Sequence, residues 1–320
     1  MSSITALRPV RRVGVIGTGT IGASWTAWFL SRGLEVVASD PSPGAPDLIR
    51  RMVEGAWPVL RELGAAADAD PARWRFEADP VAAVQGCDLI QESAPERYEV
   101  KQPLLRAISA ALPADVLIAS SSSGLLLSRL AEGVTHPERL VIGHPFNPPH
   151  LIPLVEVVGS TTASEAAVQA AMRFYQEIGK HPILLRKEVP GHLANRLQAA
   201  LWREAVHMVA EGVASVADVD AAISEGPGLR WALMGPHATF HLAGGEGGYA
   251  QFMHHLMPAV TSWWPSLGNP EVTPALQREL IAGITEELGG RTVPELAAER
   301  DAALTRLLQA RKPHERAPRE

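Results

Sequence analysis

Near the start of the chain a β-branched run enters a glycine turn, Arg12-Val13-Gly14-Val15-Ile16-Gly17-Thr18-Gly19-Thr20-Ile21-Gly22, and an acid, Asp40, follows a second strand-like run over 34–39. Strand, glycine turn, apolar helix, strand and acid in this order restrict the segment to a βαβ unit of the dinucleotide-binding kind. Each glycine has its own task. Gly17 permits the tight turn off the strand, Gly19 keeps a Cβ out of the path of a pyrophosphate, and Gly22 lets the helix pack close to the strand. The free N–H groups at the helix start then face the phosphates. A carboxylate at Asp40 accepts the hydroxyls of the adenosine ribose and repels a 2′-phosphate, so the expected cofactor is NAD rather than NADP.

The alternation continues along the chain. Strand-like runs at 13–17, 35–39, 74–76, 89–92, 116–120, 140–144, 154–158 and 183–186 are interleaved with helical stretches that include 21–30, 48–63, 98–112 and 165–178. This is the pattern of an α/β fold with a Rossmann-type, doubly wound, mostly parallel sheet. The strands from 140 onward, expected to be joined by short loops without helix, should form an antiparallel or mixed edge. After Val189-Pro190-Gly191 no strand is expected. Amphipathic stretches take over at 193–212, with Leu197, Leu201, Ala205, Met208 and Val209 on one face, at 216–224, started by Ser215 and Asp218, and at 275–288. The chain therefore reads as a dinucleotide-binding domain over 1–190, a second, all-α domain over 191–310 and a charged, proline-broken, disordered tail over 311–320.

A length of 320 residues, 46% of them hydrophobic and 20% charged, suffices for two globular cores. The net charge of −6 gives no basis for nucleic acid or an anionic membrane as partner. No apolar run has the length of a membrane span or the form of a secretory signal. A single cysteine, Cys87, excludes an internal disulfide and reads as a small core residue. The expected location is the cytoplasm, and no metal ion is expected.

In Val141-Ile142-Gly143-His144-Pro145-Phe146-Asn147-Pro148, His144 ends a strand-like run, and Glu156 lies inside the apolar run Leu154-Val155-Glu156-Val157-Val158. A carboxylate there needs a partner. Paired with His144, an ionised Glu156 fixes the imidazole tautomer and raises its basicity, as a general base requires. Taken singly, the two also read as a satisfied histidine and a solvent-facing carboxylate on an edge strand.

These blocks, with the serine run Ser120-Ser121-Ser122-Ser123 before them and Val189-Pro190-Gly191-His192-Leu193-Ala194-Asn195-Arg196-Leu197 after them, resemble the L-3-hydroxyacyl-CoA dehydrogenase family in order and spacing over nearly the whole chain. The resemblance implies hydride transfer from a 3-hydroxyl carbon to NAD. It places the catalytic pair on His144 and Glu156, substrate-oxygen contacts on Ser123 and Asn195, and further cofactor contacts on Glu96 and Lys101. It also implies a reacting carbon between the two domains and a homodimer formed through the helical domain. The family often has Asn-Thr-Ser-Ser where this chain has Ser121-Ser122-Ser123-Gly124, which leaves the adjacent serines as alternatives to Ser123.

The small-molecule substrate expected is a 3-hydroxy acid. No lysine precedes Lys101, whereas members acting on coenzyme A thioesters have a lysine-rich helix after the second strand; Arg50 and Arg51 could replace those lysines here. The segments 56–58, 91–97, 202–205 and 226–236 resemble a subgroup acting on free acids, L-carnitine and L-gulonate. Trp231, Tyr249, Phe252, Trp263 and Trp264 supply aromatic faces for a quaternary ammonium, or simply core. L-Carnitine is thus the leading expectation. L-Gulonate and a short acyl-CoA thioester are alternatives, and a non-catalytic, NAD-binding, crystallin-like role is the alternative of another class.

Overall fold

The computed structural model of the chain describes residues 9–311. Contacts divide them into one unit of residues 9–195 with 304–309 and another of the remaining residues from 196 onward. All of the expected tail except Arg311 lies outside the described residues.

The first unit holds one eight-stranded sheet. Its strands are β1 (Arg12–Ile16), β2 (Glu35–Ser39), β3 (Trp74–Phe76), β4 (Leu89–Glu92), β5 (Leu117–Ser120), β6 (Leu140–Pro145), β7 (Leu154–Val158) and β8 (His181–Leu185). They lie in the order β3-β2-β1-β4-β5-β6-β7-β8. Every neighbouring pair is parallel except β6 with β7. The helices are α1 (Thr20–Ser31), α2 (Ala45–Glu62), α3 (Pro80–Ala83), α4 (Tyr98–Ala110), α5 (Leu127–Leu130) and α6 (Glu165–Glu177).

Strand periodicity builds a core on each face of the sheet. Val13, Val15, Val36 and Ala38 join Trp25, Phe29 and Phe174 of α1 and α6 on one side. Ile16, Val37 and Ile90 join Leu105, Ile108 and Leu127 of α4 and α5 on the other. The mixed edge has one antiparallel step, since α6 carries the chain from β7 back to a parallel β8. Cys87 is a buried core residue, and burial pushes its thiol up to about 11.

The connection from β6 to β7 is tied to α1. His150 N donates to Ser24 Oγ at 2.9 Å. Lys180, buried just before β8, donates to the carbonyls of Pro149 and, at 3.2 Å, Ile152, with its ammonium 3.6 Å from the Trp28 ring centroid. Carbonyl oxygens and an indole face thus compensate a charge that burial disfavours.

The second unit contains helices and no strand among the described residues. They are α7 (Ala194–Ala210), whose first two residues belong to the first unit, α8 (Val216–Ser224), α9 (Pro227–Trp231), α10 (Pro236–Ala243), α11 (Gly248–His255), α12 (Met257–Trp263), α13 (Pro274–Leu288) and α14 (Val293–Ala310), whose residues 304–309 belong to the first unit. Ser215 starts α8 by accepting from Asp218 N at 3.1 Å. The apolar stripe expected along α7 divides: Val209 is buried together with Val206, whereas Leu197 and Leu201 are exposed. The five aromatic residues divide as well. Phe252 is core, stacked on Phe240 at 4.6 Å, while Trp263 and Trp264 are exposed.

Candidate active site and cofactor crevice

Gly17 turns the chain off β1 at φ 87°, and its N–H donates to Ser39 O at 2.8 Å. A Cβ on Gly17 would fall 2.5 Å from Ala94 N, and one on Gly22 would fall 1.9 Å from Gly17 O. Glycine is required at both by space. Around Gly19, by contrast, a Cβ would meet nothing within 4 Å. Here α1 begins with no side-chain cap, so its first amides keep their donors for a ligand. Asp40 follows β2 and is held by Thr18 N at 2.7 Å and Ser42 N at 2.9 Å. Open space, uncapped amides and a fixed carboxylate at the carboxyl ends of β1 and β2 fit a dinucleotide.

His144 and Glu156 face each other across β6 and β7. Nδ1 of the imidazole lies 2.8 Å from Oε2 of the fully buried carboxylate. Glu156 Oε1 accepts from Leu193 N at 2.9 Å and Ala194 N at 2.8 Å, where α7 begins. Burial opposes ionisation of Glu156, but the bonds from His144, Ala194 and Leu193 outweigh it and hold the carboxyl below its usual range. An ionised acceptor at Nδ1 requires a proton there, which leaves the lone pair on Nε2. That is the tautomer of a general base.

The serine run resolves into four environments. Ser120 Oγ donates to Glu92 Oε2 at 2.5 Å. Ser121 Oγ lies 2.8 Å from both Gln91 Nε2 and Ser93 Oγ. Ser122 Oγ donates to Glu96 Oε1 at 2.7 Å, and the same oxygen accepts from Ser123 N, Gly124 N and Leu125 N. Ser123 Oγ has only a 3.3 Å bond to Glu96, so its hydroxyl is the most loosely held of the four. Asn195 Nδ2 donates to Ser123 O at 3.1 Å, and His192 Nε2 donates to Ser122 O at 2.9 Å. His144, Glu156, Ser123 and Asn195 are therefore joined through the segment 192–195.

Glu96 and Lys101, both expected at the cofactor, meet each other at 3.9 Å. The carboxyl of Glu96 is resisted by burial yet held below its usual range by Ser122, the Lys101 charge and the Gly124 and Leu125 amides. Lys101 is buried and donates to both oxygens of Glu92, at 2.8 and 3.0 Å. Its contacts within the chain are internal.

Two sequence models cover this architecture: 3-hydroxyacyl-CoA dehydrogenase, NAD binding domain, matches residues 12–189, and the C-terminal domain of the same family matches residues 191–267. The chain belongs to the 3-hydroxyacyl-CoA dehydrogenase family. Like that family, it is an NAD-dependent dehydrogenase acting on a CH–OH group. It is 50% identical over 301 residues to an L-carnitine dehydrogenase of Streptomyces griseus, covering 94% of this chain and 90% of that protein. An L-carnitine dehydrogenase of Pseudomonas aeruginosa is 48% identical over 94% of each. Among solved structures, an NAD+-dependent dismutase, 5-formyl-3-hydroxy-2-methylpyridine 4-carboxylic acid 5-dehydrogenase, superposes with a TM-score of 0.81 at 30% identity, covering 95% of this chain and all of that one.

Several residues around these groups carry no signal in the motifs. Gln91 and Glu92 could have been noticed as polar residues in an apolar strand run, but Ser93 and Ser121 had no reason to be paired. His192 lies in the stretch 189–197, where the sequence gives it no role. The structure gives it a left-handed φ of 49° and 1% exposure, and sets its ring 5.3 Å from that of His144. Burial lowers its pKa, which keeps the imidazole neutral beside the base.

Proposed function

We propose that the chain oxidises the 3-hydroxyl of a free, small L-3-hydroxy acid, with L-carnitine as substrate and 3-dehydrocarnitine as product. The observation that carries this reading is the 2.8 Å contact of His144 Nδ1 with Glu156 Oε2. It occurs in a chain 50% identical to a protein named L-carnitine dehydrogenase. His144 Nε2 takes the proton of the substrate hydroxyl, and Glu156 stabilises the imidazolium that results. Ser123 and Asn195 position the hydroxyl oxygen. NAD, when bound, accepts the hydride leaving the same carbon.

Gly17, Gly19, Gly22 and Asp40 hold the dinucleotide in this reading. Glu96 orders the serine loop beside it, and Lys101 acts by fixing Glu92 and supporting the charge of Glu96. Cofactor binding, with His144, Glu156 and Ser123, belongs to the segment up to residue 190, and Asn195, the remaining substrate contacts and dimerisation to 191–310. The exposed Leu197, Trp202, Leu229, Trp263, Trp264 and Ile281 support a homodimer through the helical unit, since they leave much apolar surface for a second copy. A buried single cysteine and the lack, among the described residues, of any helix able to cross a membrane are compatible with a cytoplasmic enzyme.

Initial rates of NADH formation from L-carnitine, L-gulonate, 3-hydroxybutyrate and 3-hydroxybutyryl-CoA test the substrate. The highest kcat/KM is expected for L-carnitine. Preferred turnover of the thioester would overturn the free-acid reading, and NADH binding without turnover of any of the four would overturn the enzymatic one.

A further inference from the structure

Gln91, in the last turn of the ladder before β4 ends, is buried with both ends of its amide engaged. Oε1 lies 2.6 Å from Tyr175 Oη, and Nε2 lies 2.8 Å from Ser121 Oγ and 3.3 Å from Gly143 O. The Gly143 carbonyl settles which way the amide faces, because a carbonyl oxygen only accepts and the atom beside it must be the NH2. Tyr175 therefore donates to Oε1. The two Nε2 protons go to Gly143 and Ser121, which makes Ser121 Oγ an acceptor. Its other neighbour is Ser93 Oγ at 2.8 Å. This serine pair holds two hydroxyl protons, and one of them closes the bond between the pair. The second has no acceptor among the described residues. That count is the same whichever serine donates to the other.

The position of the pair says where this proton is offered. Ser93 and Ser121 are the first residues beyond β4 and β5, both half-buried. A Cβ on Gly17 would fall 2.6 Å from the carbonyl carbon of Ser93, so Ser93 lies directly against the dinucleotide turn. In the sheet, β2 with Asp40 flanks β1 on one side and β4 and β5 lie on the other. The adenosine half of NAD belongs with Asp40, which leaves the crevice over the ends of β4 and β5 for the nicotinamide half.

We propose that the Ser93–Ser121 hydroxyl pair donates a hydrogen bond to an oxygen of the nicotinamide half of bound NAD, with Ser93 as the donor and Gln91 and Tyr175 fixing the direction of the chain. The pair is a binding element for one half of the cofactor only. It rests on NAD as cofactor and is independent of which hydroxy acid is oxidised.

Fluorescence titrations of NADH and of ADP, which has only the adenosine half, test it in the wild type, Ser93→Ala, Ser121→Ala and the double variant. Loss of one hydrogen bond should weaken NADH binding by about three- to tenfold in Ser93→Ala while leaving ADP binding unchanged. Because the two hydroxyls act as one unit, the double variant should lose no more than the weaker single variant. Wild-type NADH affinity in Ser93→Ala would overturn the proposal. So would a parallel loss of ADP affinity, which would trace the effect to a displaced glycine turn.

Discussion

Glu156 performs two tasks at once, one for each carboxylate oxygen, and substitution can separate them. In Glu156→Gln the amide oxygen can still accept from Leu193 and Ala194, but the NH2 then faces His144 Nδ1. The imidazole must change tautomer and move its proton to Nε2, which removes the base. The expected result is a fall in kcat of about 10^3 to 10^4, as for loss of the correct tautomer in a serine-protease triad, with little change in NADH affinity. Glu156→Ala leaves the two amides without acceptors as well, and should also lower stability by about 1–3 kcal/mol in urea titrations. The carboxyl is depressed in the folded state, so its stabilisation is fully present above about pH 4.3, the unfolded range, and is lost as pH falls through the lower folded value. Stability measured against pH should lose that part of its acid slope in Glu156→Gln. At the other end of the crevice, Asp40→Ala should raise the rate with NADP relative to NAD. An unchanged ratio would mean that Asp40 does not read the ribose.

At the scale of elements, the loop after β5 depends on one carboxylate. Glu96 Oε1 gathers the Ser122 hydroxyl and three successive amides. A glutamine keeps an accepting oxygen and an alanine does not. Glu96→Gln should therefore keep most of kcat/KM, whereas Glu96→Ala should lose about tenfold or more because Ser123 is no longer placed. Steady-state kinetics of the two variants make the comparison. The strands, the glycine turn and the His144–Glu156 pairing were legible in the sequence because continuous apolar runs mark strands buried on both faces, and a carboxylate inside such a run needs a partner on the neighbouring strand. The role of Glu96 was not, since its partners lie 26–29 residues away on the next strand's loop. Lys101 shows the same limit: a lysine nine residues after Glu92, on the helix that follows its strand, gives no sign in sequence that it will be buried against it.

For the whole molecule, the helical unit differs from the sheet unit in what one chain buries. Helices α8, α9 and α12 have no fully buried residue, and Trp202 and Trp263 are each 61% exposed. Of the apolar stripe expected along α7 only Val209 is buried, since periodicity does not say whether the covering surface belongs to the same chain or to another. A dimer in sedimentation or light scattering is expected, and Trp202→Glu should shift it towards monomer and lower Tm. A wild-type monomer at micromolar concentration would contradict the proposed assembly.

In the proposed reaction His144, oriented by Glu156, removes the hydroxyl proton as hydride leaves for NAD. Single-turnover NADH formation from L-carnitine, in wild type and His144→Ala with NADH affinity measured on both, tests it most directly. The expected result is a fall of at least about 10^2 in the rate with affinity retained; a comparable rate in His144→Ala would rule out His144 as the base.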